Sequence, residues 1–250
     1  MSAAEERARE WRHGQHAAVC DVLEPWEHGT VTRATRYPHY WDLNTVRVER
    51  DPGMEAAQLA ALADERLGDL AHRRVDVEQR DVADRLRPGF ESLGWDAGAL
   101  VWMLHTEPVP PGDALGVEEV EYDTVHHLRE EWHYEDFPDT HYGDHAAESK
   151  AVSLSRGAQV FAVLEDGVPV AYTQLERDGD DAEVSHVFVR ADRRGSGMGT
   201  ALTRAAIGAA GRVRDLWIVA DDEGRPKELY ARLGFRPAWR MIEFLRPPRR

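Results

Sequence analysis

Two short phrases, 140 residues apart, restrict this chain more than anything else in it. Phe90-Glu91-Ser92-Leu93-Gly94-Trp95 returns as Tyr230-Ala231-Arg232-Leu233-Gly234-Phe235. The order of elements before each phrase is also shared. In the second half a strand, an Ala-rich helix, a strand over 216–220 and a further helix lead up to it. In the first half the counterparts are a strand over 44–48, an apolar helix over 54–70, a strand over 74–77 and a helix. Repetition on this scale predicts two related units of unequal preservation. The competing reading is a chance likeness between two amphipathic segments. Glu107-Pro108-Val109-Pro110-Pro111-Gly112 reads as the linker, because clustered prolines end a strand and stiffen a connector. The expected division is 1–107 and 113–250, in a mixed α/β architecture.

The second half parses in more detail. Apolar runs over 159–164 and 168–175 flank Glu165-Asp166-Gly167, a hairpin signal because Asp-Gly supplies the positive φ a tight turn needs. A polar turn at 178–181 leads into a third strand over 182–189. Gly234 stands where a helix stop belongs, and a last strand is expected around 239–244. The acidic, His-rich stretch 122–150 reads as one or two helices with a loop.

Between the third strand and the next helix lies Arg190-Ala191-Asp192-Arg193-Arg194-Gly195-Ser196-Gly197-Met198-Gly199-Thr200. A glycine-rich turn at a helix start leaves several backbone N–H groups pointing one way, at the positive end of the helix dipole. That is a cradle for phosphate. Glycine allows the close approach and the positive φ. A Walker site is excluded by the missing Lys-Ser/Thr pair, and the alternating glycines lack the G-x-G-x-x-G spacing of a dinucleotide turn.

Composition narrows the ligand classes. Lys and Arg number 31 against 46 Asp and Glu, a net charge of −15, which makes nucleic acid a poor partner. The basic run Arg246-Pro247-Pro248-Arg249-Arg250 reads as a solvated tail. One cysteine, Cys20, excludes an internal disulfide and suits a reducing compartment. The start of the chain is polar, and no run approaches the roughly 18 apolar residues of a membrane span. The expectation is a cytoplasmic protein with no membrane or nucleic-acid partner; its oligomeric state is left open.

In this context the turn resembles the GNAT superfamily of N-acetyltransferases. The signature Gln/Arg-x-x-Gly-x-Gly/Ala is present as Arg194-Gly195-Ser196-Gly197-Met198-Gly199, and a second, Leu229-Tyr230 then Leu233-Gly234-Phe235, follows beyond the next strand. The resemblance covers about 113–250 and the first half only in outline, as in two-domain members such as mycothiol synthase-like enzymes. It implies two GNAT-like domains, each a central, mostly antiparallel sheet flanked by helices, with the N-terminal copy degenerate. It implies acetyl-CoA as cosubstrate and direct acetyl transfer to a primary amine, on a small molecule, peptide or protein. Acetyl-CoA is then expected in a V beside the strand segment Val187, Phe188 and Val189. Pantetheine would pair with the backbone of Val187 and Val189. The pyrophosphate would lie on amides from Arg194 through Gly195, Ser196, Gly197 and Met198 to Gly199, with the Thr200 hydroxyl nearby. Glu223 stands where many members carry an asparagine contact to the cofactor. The rival class is a noncatalytic acyl-CoA-binding or sensor protein.

Tyr230 aligns with the tyrosine that serves family members as general acid toward the CoA sulfur. Its hydroxyl has an ordinary pKa of about 10 and is protonated at neutral pH. The first half carries Phe90 there, and its turn Arg50-Asp51-Pro52-Gly53-Met54-Glu55 has one glycine and a proline without an N–H. It is not expected to hold acetyl-CoA. The general base is open between Glu183, six residues before Val189, and His186. In an unbroken strand His186 points away from Glu183, Ser185 and Val187, and a bulge would change that parity. Asp221 and Asp222 are weaker candidates. His141 and His145 have His-x-x-x-His spacing, but Pro138 and Gly143 argue against a helix that would aim both at a metal, and no metal is expected. By the resemblance that region lines an acceptor pocket.

Overall fold

The computed structural model describes residues 2–110, 112 and 116–248. Pro111 and Asp113 at the expected junction, and Arg249 and Arg250 of the basic tail, lie outside the described residues. The first half runs α1 (Ala3–Ala17), β1 (Val22–Trp26), β2 (Gly29–Arg33), β3 (Thr45–Val48), α2 (Ala56–Arg66), β4 (Arg73–Val77), α3 (Arg80–Ser92) and β5 (Asp96–His105). The second runs β6 (Val117–Val120), α4 (His126–Asp136), α5 (Gly143–Ser155), β7 (Gln159–Glu165), β8 (Val168–Asp178) and β9 (Asp181–Val189). It ends with α6 (Met198–Ala210), β10 (Leu216–Asp221), α7 (Pro226–Arg232) and β11 (Phe235–Arg246).

All eleven strands form one mixed sheet, ordered β1-β2-β3-β4-β11-β5-β10-β9-β8-β7-β6. The two halves have exchanged their last strands. β5, from the first half, lies between β10 and β11, with Trp217 opposite Leu104 and Ile242 opposite Ala99. β11, from the second half, lies between β4 and β5, with Ile242 opposite Val77. Two pairs are parallel, β3 with β4 and β9 with β10, one in each half. The repeat is therefore visible as a two-fold pattern about the β11–β5 seam, within one sheet rather than two.

Side-chain alternation along the strands sends successive residues to opposite faces. On one face α6 and α7 cover a core that includes Val101 and Met103 of β5, Val184 of β9 and Ile218 of β10. On the same face α2 and α3, the latter through Phe90, cover Val46, Val75, Ile242 and Phe244. On the opposite face Ala8 and Trp11 of α1 pack on Trp102, Trp217, Trp239 and Met241 across the seam. α1 forms because Ser2 accepts a hydrogen bond from the Glu5 amide at 3.1 Å and Glu5 and Glu6 sit in the positive first turn. Its buried residues, Ala8, Trp11, Arg12 and His16, fall on one side of the helix.

The hairpin turns where expected, with φ of 50° at Asp166 and 80° at Gly167. Gly234 ends α7 at φ 95°, and a Cβ there would stand 2.3 Å from the Glu107 carbonyl oxygen. α2 is shorter than the apolar run suggested. It begins after Glu55, whose side chain caps it reciprocally with Gln58, and ends at Arg66.

Candidate functional site

β9 and β10 pair only as far as Val184 and Ile218. Beyond that point β9 continues to Val189 while β10 diverges, so the sheet opens into a V. The matching parallel pair of the first half stays closed: Val48 pairs with Val77, and the Glu78 amide extends the ladder to the Val48 carbonyl at 3.0 Å.

On the α6–α7 face the V opens into a cavity of about 950 Å³. Val187, Val189, Arg194, Gly195, Ser196, Gly197, Met198, Gly199, Thr200 and Tyr230 all line it. Phe188 does not: its ring lies on the other face, against Trp132 and Tyr172. Gly195 and Gly197 adopt φ of 83° and 88°, and Gly197 begins α6 in the left-handed region. The first closing bond of the helix runs from the Ala201 amide to the Gly197 carbonyl. The amides of Met198, Gly199 and Thr200 thus have no acceptor inside the helix. Arg193, Arg194, Arg225 and Arg232 surround the cavity. Arg193 is engaged by Glu165 and Asp192, and Arg194 by Glu135. Arg225 and Arg232 are exposed and make no ion pair among the described residues.

Tyr230, on α7, is buried at the inner end of the cavity, its ring edge-on to Phe235. Burial raises its phenol well above the ordinary value. Its counterpart Phe90 stacks on Phe244 with centroids 4.2 Å apart. The first-half turn is also occupied from within. The Gly53 amide donates to Asp51 Oδ1, and the Glu55 carboxylate takes up the amide at the start of α2. Glu223 accepts from both terminal nitrogens, Nη1 and Nη2, of Arg87 on α3, at 2.5 and 2.9 Å.

The opposite face holds a second cavity, in two adjoining lobes of about 280 and 350 Å³ that share Tyr40, Asp42, Arg74, Trp132, His186 and Glu243. Glu183 and His186 both line it, which corrects the unbroken-strand parity. Tyr172 pairs with Phe188 but Gln174 with Ser185, so β9 carries one extra residue there, and His186 takes it up at φ 54°. Glu183, Ser185 and His186 consequently face the same cavity, while Val187 passes to the other side.

The two titratable groups are pushed in opposite senses. Burial raises Glu183 to about 7, against the opposing hydrogen bond from Trp11; Glu176, directly across β8, adds repulsion. Burial, then the charge of Arg129, lowers His186 to about 3, so its ring is neutral at pH 7. His186 Nδ1 lies 3.1 Å from Ser185 Oγ. Asp221 Oδ1 accepts the Glu223 amide, and Asp222 accepts from Arg80 and Arg240.

Much of this cavity comes from residues the sequence reading did not single out. α1 supplies Arg12, Gln15 and His16, with Trp11 behind Glu183, and a helical turn at Trp41–Leu43 supplies Asp42. Arg74 binds Asp76 at 2.9 Å and also pairs with Asp42 and Glu243. Arg74 and Glu243 lie on neighbouring strands from different halves. The signal for α1 was present as Ser2 three residues before Glu5, with apolar spacing at 4, 8 and 11. The region 133–145 does line the cavity, through His133, Asp136, Phe137, Tyr142 and His145. His145 is on α5 and burial lowers it to about 4, whereas His141 precedes that helix and accepts the Gly143 amide. Among the described residues no cluster of three or more His, Cys, Asp or Glu is placed to hold a metal, and no helix is long and apolar enough to cross a membrane.

Residues 156–237 match the family described as an acetyltransferase (GNAT) domain. A search of curated proteins gave no match. Among solved structures, a conserved protein of unknown function from Staphylococcus epidermidis superposes with TM-score 0.67 at 14% identity, over 92% of this chain and 94% of that one. A GCN5-related N-acetyltransferase from Kribbella flavida superposes with TM-score 0.58 at 17% identity, over 99% and 96%. A tandem GNAT protein from the clavulanic acid biosynthesis pathway does so with TM-score 0.51 at 19% identity, over 80% and 74%.

Proposed function

We propose, from the premise that residues 156–237 form a GNAT acetyltransferase domain inside a tandem GNAT fold, that this protein moves an acetyl group from acetyl-CoA to a primary amine. The observation that carries the reading is the pair of cavities on opposite faces of the sheet beside the β9–β10 opening, one floored by unpaired helix amides and ringed by arginine, the other holding Glu183. The amides of Met198–Thr200 and the free Arg225 and Arg232 suit a polyphosphate. The unpaired edge of β9 at Val187 and Val189 suits an amide-bearing chain added as a strand. Acetyl-CoA supplies the activated thioester.

Glu183 is the base. A carboxyl held near 7 is matched to taking a proton from an amine at neutral pH, whereas a histidine held near 3 binds a proton too weakly. As the amine nitrogen bonds to the acetyl carbon and the carbon–sulfur bond breaks, Glu183 takes the nitrogen's proton. Tyr230 gives its hydroxyl proton to the departing sulfur and regains one from solvent. The first half, with Phe90, a self-capped turn and a closed strand pair, does not bind acetyl-CoA; it builds the acceptor wall.

The test is CoA release across a panel of primary amines, with acetyl-CoA binding followed by calorimetry. Binding with release is expected. Binding with no amine acetylated would instead favour an acyl-CoA sensor, and absence of binding would overturn both readings.

A further inference from the structure

Four arginines line the acceptor cavity, and three of them are ion-paired. Arg12 pairs with Asp76, Arg74 with Asp76, Asp42 and Glu243, and Arg156 with Glu176. Arg129 of α4 differs. It is buried, its Nη2 donates to Ser149 Oγ at 2.5 Å, and its guanidinium carbon lies 5.0 Å from the Tyr122 ring centre. Its Nε and Nη1 have no hydrogen-bond partner, and it makes no ion pair among the described residues. The hydroxyls of Tyr142 and Tyr172, which line the same lobe, face that guanidinium and have no other partner. A buried, unpaired charge beside orphaned donors is costly to fold.

We propose that Arg129, Tyr142 and Tyr172 form a carboxylate subsite, and that the acceptor is therefore an amino acid, its carboxylate on Arg129 and its amine in the lobe of Glu183. This inference rests on the reading of the cavity as the acceptor site. A planar, singly charged carboxylate matches one guanidinium fork with two hydroxyl donors. A doubly charged phosphate does not, because Asp42 and Glu243 share the lobe and would repel it. His133, His145 and His186 are all lowered, chiefly by burial, so they add no compensating charge. Trp132 and Phe137 give the lobe an aromatic wall for the side chain.

The experiment compares matched pairs: L-phenylalanine with phenethylamine, L-tyrosine with tyramine, L-leucine with 3-methylbutylamine, L-lysine with cadaverine. In the acetyl-transfer assay the carboxylate-bearing member of at least one pair is expected to show kcat/KM at least about tenfold higher. Arg129→Gln should bring that ratio to about one, mainly through KM, and Arg129→Lys should keep part of it. Equal or inverted ratios in every pair, or a preference that survives Arg129→Gln, overturn the proposal. Should Arg129→Gln fail to fold, Tyr172→Phe replaces it, with a reduced ratio expected and an unchanged one counting against. The same pairs are titrated calorimetrically in the presence of CoA, without transfer. Selective binding of the amino acid, lost in the variant, supports the subsite even where no acetyl group moves; binding without selectivity overturns it.

Discussion

Trp11 Nε1 donates to Glu183 Oε2 at 2.5 Å, so the first helix of the chain sets the electrostatics of a carboxylate on β9 in the other half. The bond favours the ionised carboxylate and opposes the desolvation that raises it. Trp11 also packs on Trp102 and Trp217 over the exchanged strands, which fixes the indole and with it the carboxylate. The first half thereby supports a cavity of the second.

The first prediction concerns pH. The acid limb of kcat/KM should reflect Glu183 near 7. Trp11→Phe removes a bond that lowers this value, so the limb moves to higher pH. Glu183→Gln should abolish the limb and reduce the rate by on the order of 10²-fold. A limb that stays in place in both variants would remove Glu183 as base.

The same carboxylate makes a stability prediction. Its folded value, about 7, lies above the ordinary 4.5, so folding favours its protonated form. The associated stability is intact below the unfolded value and is lost as pH rises through about 7. Glu183→Gln should therefore stabilise the protein at pH 8.5 by roughly 1–2 kcal/mol, allowing for solvent in the cavity, and little at pH 4.5. Urea unfolding at both pH values checks this; an equal gain at each would point to packing instead.

Tyr230→Phe tests the acid. Burial keeps the phenol protonated throughout the working range, so the substitution should lower kcat by on the order of 10²-fold with acetyl-CoA affinity nearly unchanged. Stopped-flow transfer and calorimetry separate the two quantities. A variant with unaltered kcat would leave Tyr230 as a packing residue beside Phe235.

The second half was legible because its signals are local. Asp166-Gly167 fixes a turn, the glycines at 195 and 197 fix a left-handed backbone, and Gly234 ends a helix. Each acts through its own φ. The acceptor cavity was legible only in part, because its residues are brought together by strand pairing over long separations. Nothing near Arg74 in sequence announces Glu243 on the adjacent strand, and nothing near Glu183 announces Trp11. The parity of His186 failed for a related reason: one extra residue in β9 is defined against β8, and a single strand carries no trace of its partner's register. The repeat was legible, but periodicity cannot reveal which unit a final strand joins.

Arg74 offers a prediction about that long-range network. It lies on β4 and holds Asp76 of the same strand, Glu243 of β11 and Asp42 of the helical turn before β3. Arg74→Met leaves a fully buried Asp76 with only Arg12, and Glu243 without its cation. A loss of about 3–5 kcal/mol is expected by denaturant unfolding. The double variant Arg74→Met/Glu243→Gln should recover part of it, since the uncompensated carboxylate is gone. No recovery would mean that Glu243 is not the group left exposed to the penalty.

The exchanged strands make the last prediction, about separating the halves. Residues 113–250 expressed alone retain the glycine turn, Glu183 and Tyr230 but lack β5. β10 then loses its antiparallel neighbour, β11 loses β4 and β5 together, and the core under α6 loses Val101 and Met103, both fully buried. Open strand edges flanked by apolar surface pair with other chains. The isolated segment should aggregate or form a strand-swapped dimer, without a cooperative monomeric transition, by light scattering and thermal unfolding. Co-expression with 1–107 should restore a 1:1 folded complex, because each fragment carries the strand that fills the other's gap. A cooperatively folding monomer of 113–250 would show instead that β11 can close directly onto β10, and that the seam is an addition to a unit already complete.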